Sequence, residues 1–430
     1  MPRPGDLLDL RIDKPAAGGR MLARHDGQVV LVSGAIPGER VSARVEREQR
    51  GVLFAATVDV LEPHASRRPG LPDPACGGTG YAHIALPLQQ QLKAAVVAEA
   101  FGRIARLEVT PPAVAGSPEH GYRLRARLHL RQGKLGSFRQ GTHELCDYRQ
   151  TRQLREDTCD ALEWVGAALV ARGVTHVEAL EVMENLPASQ RVVHVELGPA
   201  AAHPGVVLTA VAGAPGLTGA SLGGRTPGRL LGETGQPFVS DPLSAFAALP
   251  EGAPTGRELR RHAHAFFQAN RFLVGTLARR VVGLARPGTL VDLYAGVGLF
   301  SVCAAALGQR AVVAIEGDLA SGTDLRHNAA AFAGTLRVER MPVEAWLASQ
   351  RRVTPDTLIV DPPRTGMSRD ALQGVLALRA PRVVCVSCDV ATLARDAGRL
   401  HAAGYRLTSL EAFDLFPNTP HVECVAVFDR

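Results

Sequence analysis

The chain has 430 residues, 46% apolar and 21% charged, with a formal net charge of +6. That length exceeds one ordinary core and suggests two or three domains, while the composition excludes collagen-like and disordered chains and no apolar run is long enough to span a bilayer. The opening MPRPGDLLDL lacks the cationic-then-apolar pattern of a leader, so a cytoplasmic protein is expected. The positive charge suits a polyanionic partner, although an Arg-biased genome gives the same excess. Seven cysteines, odd in number and scattered through apolar runs, read as reduced thiols rather than a disulfide framework.

In chain order, the first sixty residues alternate short apolar strands with glycine turns, the pattern of a small closed barrel of about five strands. A Pro- and Arg-bearing linker, HASRRPGLPDPACGG, leads to a predicted amphipathic helix over 86–107. In the next strand, YRLRARLHLR, the residues Arg123, Arg125, Arg127, His129 and Arg131 share one face and leucines the other. Such a single-sign row suits phosphate contact about as well as a solvated sheet face. The Gly-, Pro- and Ala-rich stretch 184–256 gives no clear order.

From 257 the rhythm becomes helix over 257–285, then strands alternating with helices, which predicts a parallel, doubly wound α/β sheet. The division expected is a barrel over 1–62, a β-rich central domain over 63–255 and an α/β domain over 256–430. Ligands of such sheets lie beyond the carboxyl ends of the strands, at the switch in strand order. VDLYAGVGLFS puts Asp292, Tyr294, Gly296 and Gly298 there, and AVVAIEGD ends the next strand with Glu316, placed to hold ribose hydroxyls. Without a Walker lysine or the three-glycine dinucleotide spacing, the short loop suits a nucleoside ligand without phosphates, such as S-adenosylmethionine.

LIVDPPRTGMS carries Asp361 at a rigid corner. An aromatic after the two prolines would suit methylation of exocyclic amines, whereas Arg364 stands there. VCVSCDVATLARD places Cys388 at a helix N-terminus, where a thiol pKa is expected to fall. Cys385, inside the strand, reads as packing. LFPNTPHVECVAVF adds His421 and Glu423, a strand-end carboxylate able to act as a base.

DLYAGVGLFS, IVDPPRTG, VSCDVATLARD and FPNTPHVE, with AFFQAN upstream, together resemble the RNA (uracil-5-)methyltransferases. CGGTGYAHI, YRLRARLHL and LGSFRQGTHEL resemble that family's central region, and GGRMLARHDGQVVLVSGAIPGERV resembles the TRAM domain, an RNA-binding barrel of the oligonucleotide-binding kind. The resemblance spans nearly the whole chain. It implies a class I methyltransferase fold, S-adenosylmethionine as cofactor and an RNA partner, with 23S rRNA favoured over tRNA and a monomeric enzyme. It further implies Cys388 as nucleophile, Glu423 as base, and Gln268, Tyr294, Glu316 and Asp361 as cofactor or substrate contacts, with Arg123, Arg125, Arg127 and Arg131 on RNA.

Two departures are visible. Where relatives hold a four-iron cluster on four cysteines, this chain has Gly70, Cys76, Thr79 and Thr151, and Cys146 lies out of register, so no cluster is expected. Leu299 and Pro342 stand at cofactor-pocket positions that are often polar. The competing readings are amine methylation and a non-catalytic RNA-binding protein. Arg364 and Cys388 disfavour the first, and retention of both Cys388 and Glu423 disfavours the second.

Overall fold

Period-two alternation in the first segment turns Leu8, Leu10 and Ile12 inward and leaves their neighbours exposed. In a computed structural model this segment is β1 (Leu7–Pro15), followed by β2 (Met21–His25), β3 (Gln28–Ser33), β4 (Arg40–Gln49) and β5 (Val52–Glu62). They close into a barrel in the order β1-β2-β3-β5-β4, as the turn spacing predicted. The structure describes all residues except 1, 71–72, 74–75, 140, 175, 199–203, 225–229, 252–255, 310 and 350–353. Part of the predicted linker and the 255–256 division therefore lie outside the described residues. Among the described residues no helix is long and apolar enough to cross a membrane.

Buried Glu39 fastens the barrel to the segment after β5. Its carboxylate takes two charge-assisted bonds from Arg67, both 2.6 Å, and backbone bonds from Ile36 and His64. Helix α1 (Leu86–Ala100) then continues through one π-helical turn, and a short strand β6 (Val114–Ala115) comes next.

The central body is a seven-stranded sheet built from β7 (Arg125–Arg131), β8 (Lys134–Phe138), β9 (Leu145–Cys146), β10 (Val177–Glu184), β11 (Arg191–Leu197), β12 (Gly219–Gly223) and β13 (Leu230–Gly235). Their order is β13-β12-β11-β10-β7-β8-β9. Helices α2 (Glu156–Ala171) and α3 (Pro204–Val211) bury their apolar faces against Leu128, Leu130, Val182 and Val193.

Two expectations are corrected here. The cationic row on β7 is not of single sign. Glu181 of β10 sits directly opposite Arg127, bonding Arg125 (2.8 Å) and Arg127 (2.6 Å), and Glu196 of β11 takes the other side of Arg127. Cross-strand pairing of opposite charges therefore neutralises the middle of the row, and a phosphate at Arg125 or Arg127 would compete with two carboxylates. Arg131 stays exposed at the strand end, and Arg123 lies beyond the row against Gln153. The cysteines are not all free, since Cys76 and Cys146 form a disulfide across 70 residues. An odd count leaves room for one pair, and the ladder that brings Cys76 beside Arg139, next to β8 and β9, is invisible in the spacing.

Strands β14 (Phe238–Pro242) and β15 (Glu258–His262) pair antiparallel ahead of the last body. The predicted helix over 257–285 is therefore strand, turn and helix, α4 running only over Val274–Gly283. Asn270 explains the break. Its side-chain oxygen takes the N–H groups of Phe272 and Leu273, the local bonding by which Asn starts a helix rather than continuing one.

The last body alternates β16 (Thr289–Leu293), α5 (Leu299–Ala306), β17 (Ala311–Ile315), α6 (Leu319–Ala329), β18 (Leu336–Glu339), α7 (Val343–Ser349), β19 (Thr357–Val360), α8 (Arg369–Leu378), β20 (Arg382–Ser387) and α9 (Val390–Ala402). The chain ends in β21 (Arg406–Phe413) and β22 (Glu423–Asp429). The order β18-β17-β16-β19-β20-β22-β21-β6 is parallel except for β22, and its direction of growth reverses between β16 and β19. Its central strands are buried on both faces, which is why TLIV reads as a near-continuous apolar run and TLVDL is broken only by buried Asp292. The edge strand β6 and helix α1 come from before the central body. Val97 and Phe101 share one core with Leu393, Ala397 and Leu400 of α9.

Candidate active site

At the reversal point β16 ends on Leu293 and the chain turns at once. Tyr294 takes φ +63°, a left-handed conformation that costs a side-chain-bearing residue about 1–2 kcal/mol. The Ala295 N–H, donating to the Ile315 carbonyl at 3.0 Å, holds the turn against β17. Gly296 and Gly298 come after it at φ +58° and +96°. At Gly298 a Cβ would lie 2.7 Å from Leu325 Cδ1 and 2.8 Å from Val302 Cγ2, so both conformation and space require glycine. Beneath the turn, buried Asp292 accepts the Ser301 N–H at 3.0 Å, and burial pushes its carboxyl up to about 7.

Glu316, just past β17, is clamped by two backbone donors: Gly296 N–H to Oε2 (2.7 Å) and Asp318 N–H to Oε1 (2.6 Å). Each oxygen keeps a second lone pair, the arrangement needed to receive two vicinal hydroxyls. Burial raises its pKa, opposed by those N–H groups. Phe266, Gln268, Tyr294, Gly296, Leu299 and Asp361 line a cleft with about 310 Å³ of empty space. Leu299 thus gives it an apolar wall, while Pro342 packs beside Gly317, whose Cβ position lies 3.3 Å from it.

Asp361, in the cleft lining, connects it to the thiol, on which its charge acts. Asp361 leaves β19 and accepts a bond from Gln268 Nε2 at 3.3 Å. Burial, then the neighbouring Asp292, pushes its carboxyl up to about 8. Cys388 comes directly after β20, and Asp389, the N-cap of α9, spends its side chain on Thr392 N–H. Register then explains the central pairing. Ser387 is opposite Cys424 in the antiparallel β20–β22 ladder, so one step further along β20 the thiol comes alongside Glu423.

Glu423 is buried, and burial with Asp361 beside it raises its pKa well above the ordinary carboxylate value, Arg364 opposing. The thiol does not behave as its position at a helix start suggested. Burial, and then the proximity of Glu423, pushes Cys388 up to about 11 against the pull of Arg364, which both bonds and attracts the thiolate. The helix-terminus effect is outweighed because desolvation acts on the sulfur directly, while the N-cap role belongs to Asp389. Arg364 is the functional residue that sequence reasoning undervalued. Its signal is the Pro-Pro corner that fixes its backbone, which in the sequence argues only against an aromatic. His421 lies close by, its imidazole driven down to about 4 by burial and then by Arg364.

Comparison with known proteins agrees with this geometry. The model of the tRNA (uracil-5-)-methyltransferase family matches residues 258–430, and that of the TRAM domain residues 3–58. The 23S rRNA (uracil(1939)-C(5))-methyltransferase RlmD of Alkalilimnicola ehrlichii is 32% identical over 455 residues, 99% of this chain and 97% of that protein. The chain belongs to the RNA (uracil-5-)methyltransferase family. It is an S-adenosylmethionine-dependent enzyme that acts on RNA. An uncharacterized RNA methyltransferase of Streptomyces coelicolor is likewise 32% identical, across 99% of this chain and 93% of that protein. The family's fold is also that of the Pyrococcus abyssi tRNA (uracil-54, C5)-methyltransferase solved with S-adenosyl-L-homocysteine. That structure overlays at a TM-score of 0.76, covering 97% of this chain and 99% of that one, and its 19% identity shows the fold alone. Among the described residues no group of three or more His, Cys, Asp or Glu side chains is placed to hold a metal ion.

Proposed function

We propose that this enzyme methylates C5 of a uridine in 23S rRNA through a covalent adduct between Cys388 and C6 of the base. The observation that carries the reading is the pairing of a partly exposed thiol with a buried carboxyl, both acted on by Asp361 in the lining of the cleft. Uracil C5 is too weak a nucleophile to accept a methyl group unaided. Addition of the Cys388 thiolate to C6 leaves an enolate whose electron pair is available at C5. S-Adenosylmethionine, when bound, supplies the electrophilic methyl group. Glu423, as carboxylate, then takes the C5 proton, the C5–H electrons reform the C5–C6 double bond, and the C6–S bond breaks to release Cys388.

The chain's own residues fit that cofactor. The two lone pairs left on Glu316 suit ribose hydroxyls, the glycine turn lets backbone approach closely, and Tyr294, Gln268 and Asp361 flank the path toward Cys388. Since the target atom is inside a stacked base, the uridine must be unpaired or turned out of its helix. Ribosomal RNA is favoured over tRNA because relatives named for 23S rRNA align along almost the whole chain.

Nucleoside mapping of 5-methyluridine in rRNA and tRNA, from cells with and without this protein, tests the target. Loss confined to tRNA sinks the rRNA assignment. Cys388→Ser should abolish transfer and the adduct with 5-fluorouridine RNA while cofactor binding survives, and an adduct formed by that variant would refute the mechanism.

A further inference from the structure

A second pocket lies in the central body, with Arg123 in its wall. It holds about 590 Å³ of empty space and is lined by Gly77, Gly78, Arg123, Ser137, Tyr148 and Gln153, among others. Its walls come from three separate parts of the chain, and the Cys76–Cys146 disulfide ties two of them together beside it. Thr151, one of the positions where relatives hold a cluster cysteine, also lines this recess.

The recess is built rather than left over. Arg123 is fixed by two hydrogen bonds, Nη1 to Gln153 Oε1 (2.7 Å) and Nε to the Arg125 carbonyl (2.9 Å). Gln153 is itself fixed by donating Nε2 to the Gly78 carbonyl at 3.0 Å. A Cβ at 78 would lie 2.1 Å from Gln153 Nε2, so a side chain there would displace that amide. Unlike Arg125 and Arg127, Arg123 has no carboxylate partner among the ion pairs of the described residues, so its charge is not cancelled locally.

Arg123 also joins the recess to the reaction site. Its backbone pairs with Asn270, two residues after Gln268. Its guanidinium carbon stands 5.8 Å from the centre of the Phe416 ring, and its charge acts on Arg364 and His421. A planar cation held rigid, with amide and hydroxyl groups beside it and no compensating acid, suits a nucleobase, which offers a π face and edge acceptors together. Because Arg123 connects the recess to Phe416, Arg364 and His421 beside the thiol, an occupant of the recess suits a nucleotide near the target uridine along the strand.

We propose that this recess, lined by Arg123, Gln153, Tyr148 and Ser137, is a second base-binding pocket that captures an unstacked nucleotide flanking the target uridine. The proposal rests on the reading of the enzyme as a uridine methyltransferase, and the two can fail separately. The test places 4-thiouridine at each position flanking the target in an RNA hairpin, irradiates it with the intact protein and identifies crosslinked peptides, while methyl transfer to the same RNA is measured in parallel.

A crosslink from a flanking position to the peptides carrying Tyr148 or Ser137 is expected. Transfer without any such crosslink overturns the pocket and leaves the enzymatic reading intact. Absence of transfer to any uridine overturns that reading instead. An abasic substitution at the crosslinking position should weaken RNA binding by about tenfold, the scale of one lost stacking contact. Ser137→Phe, which fills the recess, should weaken intact RNA similarly and remove the abasic penalty. An abasic penalty of the same size in that variant also overturns the proposal, and the crosslink scan on the unaltered protein stands even if Ser137→Phe does not fold.

Discussion

Arg364→Met removes a cation that favours the Cys388 thiolate. In the intact site burial and Glu423 push Cys388 up to about 11, and Arg364 opposes both by charge and by a hydrogen bond. A hydrogen bond to a charged partner contributes about 1.5–3 kcal/mol when desolvated. Arg364 is exposed, so solvent screening takes the effect to about 1 kcal/mol, or roughly 0.7 of a pKa unit. Methionine keeps the aliphatic stem and removes the charge and its hydrogen bond. The thiol should then titrate about 0.7 of a unit higher, and at any pH well below that value its thiolate fraction should fall about fivefold.

Alkylation of Cys388 by iodoacetamide, with mass spectrometry of its peptide from pH 7.5 to 10, reads that fraction directly. In both proteins the rate should climb log-linearly with pH, the variant running about fivefold below. Cys303, Cys385 and Cys424 are buried with their thiols pushed far up, so they serve as internal controls. Superimposable profiles, or a faster variant, would refute the assignment of Arg364 as the residue that activates the thiol.

The same geometry has other consequences. Glu423→Gln should still form the 5-fluorouridine-independent adduct with ordinary RNA but release it at least about a hundredfold more slowly, the usual scale of a lost general base, seen as accumulating protein–RNA complex on denaturing gels. Glu316→Gln should weaken S-adenosylmethionine binding by about tenfold in calorimetry, since one oxygen of the clamped carboxylate becomes a donor and a charge-assisted bond to a hydroxyl is lost; unchanged affinity removes Glu316 from the cofactor site. Lys93→Met strands Asp414 in the core and should cost about 3–5 kcal/mol in urea unfolding, with the Asp414→Leu double variant recovering most of it.

What the sequence disclosed and what it hid divide along physical lines. Strand–turn–helix units with glycine at forced positive φ are local, so Tyr294, Gly296, Gly298 and Glu316 could be placed from the spacing alone. Pairings set by distant ladders could not. The carboxylates that neutralise Arg125 and Arg127 lie on β10 and β11, more than fifty residues away, and the Cys76–Cys146 bridge depends on how β8 and β9 fold back. Residues 257–285 misled for another reason. Their helical composition is overridden by pairing with β14 and by the capping of Asn270, a tertiary effect that propensity does not contain. The direction of the Cys388 shift was likewise a matter of burial, which a position at a helix start does not reveal.

Segments far ahead of the catalytic body hold Glu423, the proposed base, in place. The loop leading into Glu423 begins at Asp414, paired with Lys93 of α1, and Lys93 also donates to the Phe416 carbonyl at 3.2 Å. Asn418, at φ +65°, accepts bonds from Arg68 (2.6 Å) and Gln89 (2.9 Å), while Tyr81 N–H donates to its carbonyl. Pro420 packs against the barrel itself, where a Cβ at Gly19 would come within 2.7 Å of its Cγ. Residues 256–430 alone would lack the cation paired with Asp414 and the partners of Asn418. Water would then reach both groups, and the loop would lose the bonds that fix its shape. Those partners also link barrel and α1 to the loop that presents Glu423, so the geometry of proton abstraction is inseparable from the part of the chain that resembles an RNA-binding module. A fragment of 256–430 that released product at the rate of the full chain would show that this loop holds its shape unaided.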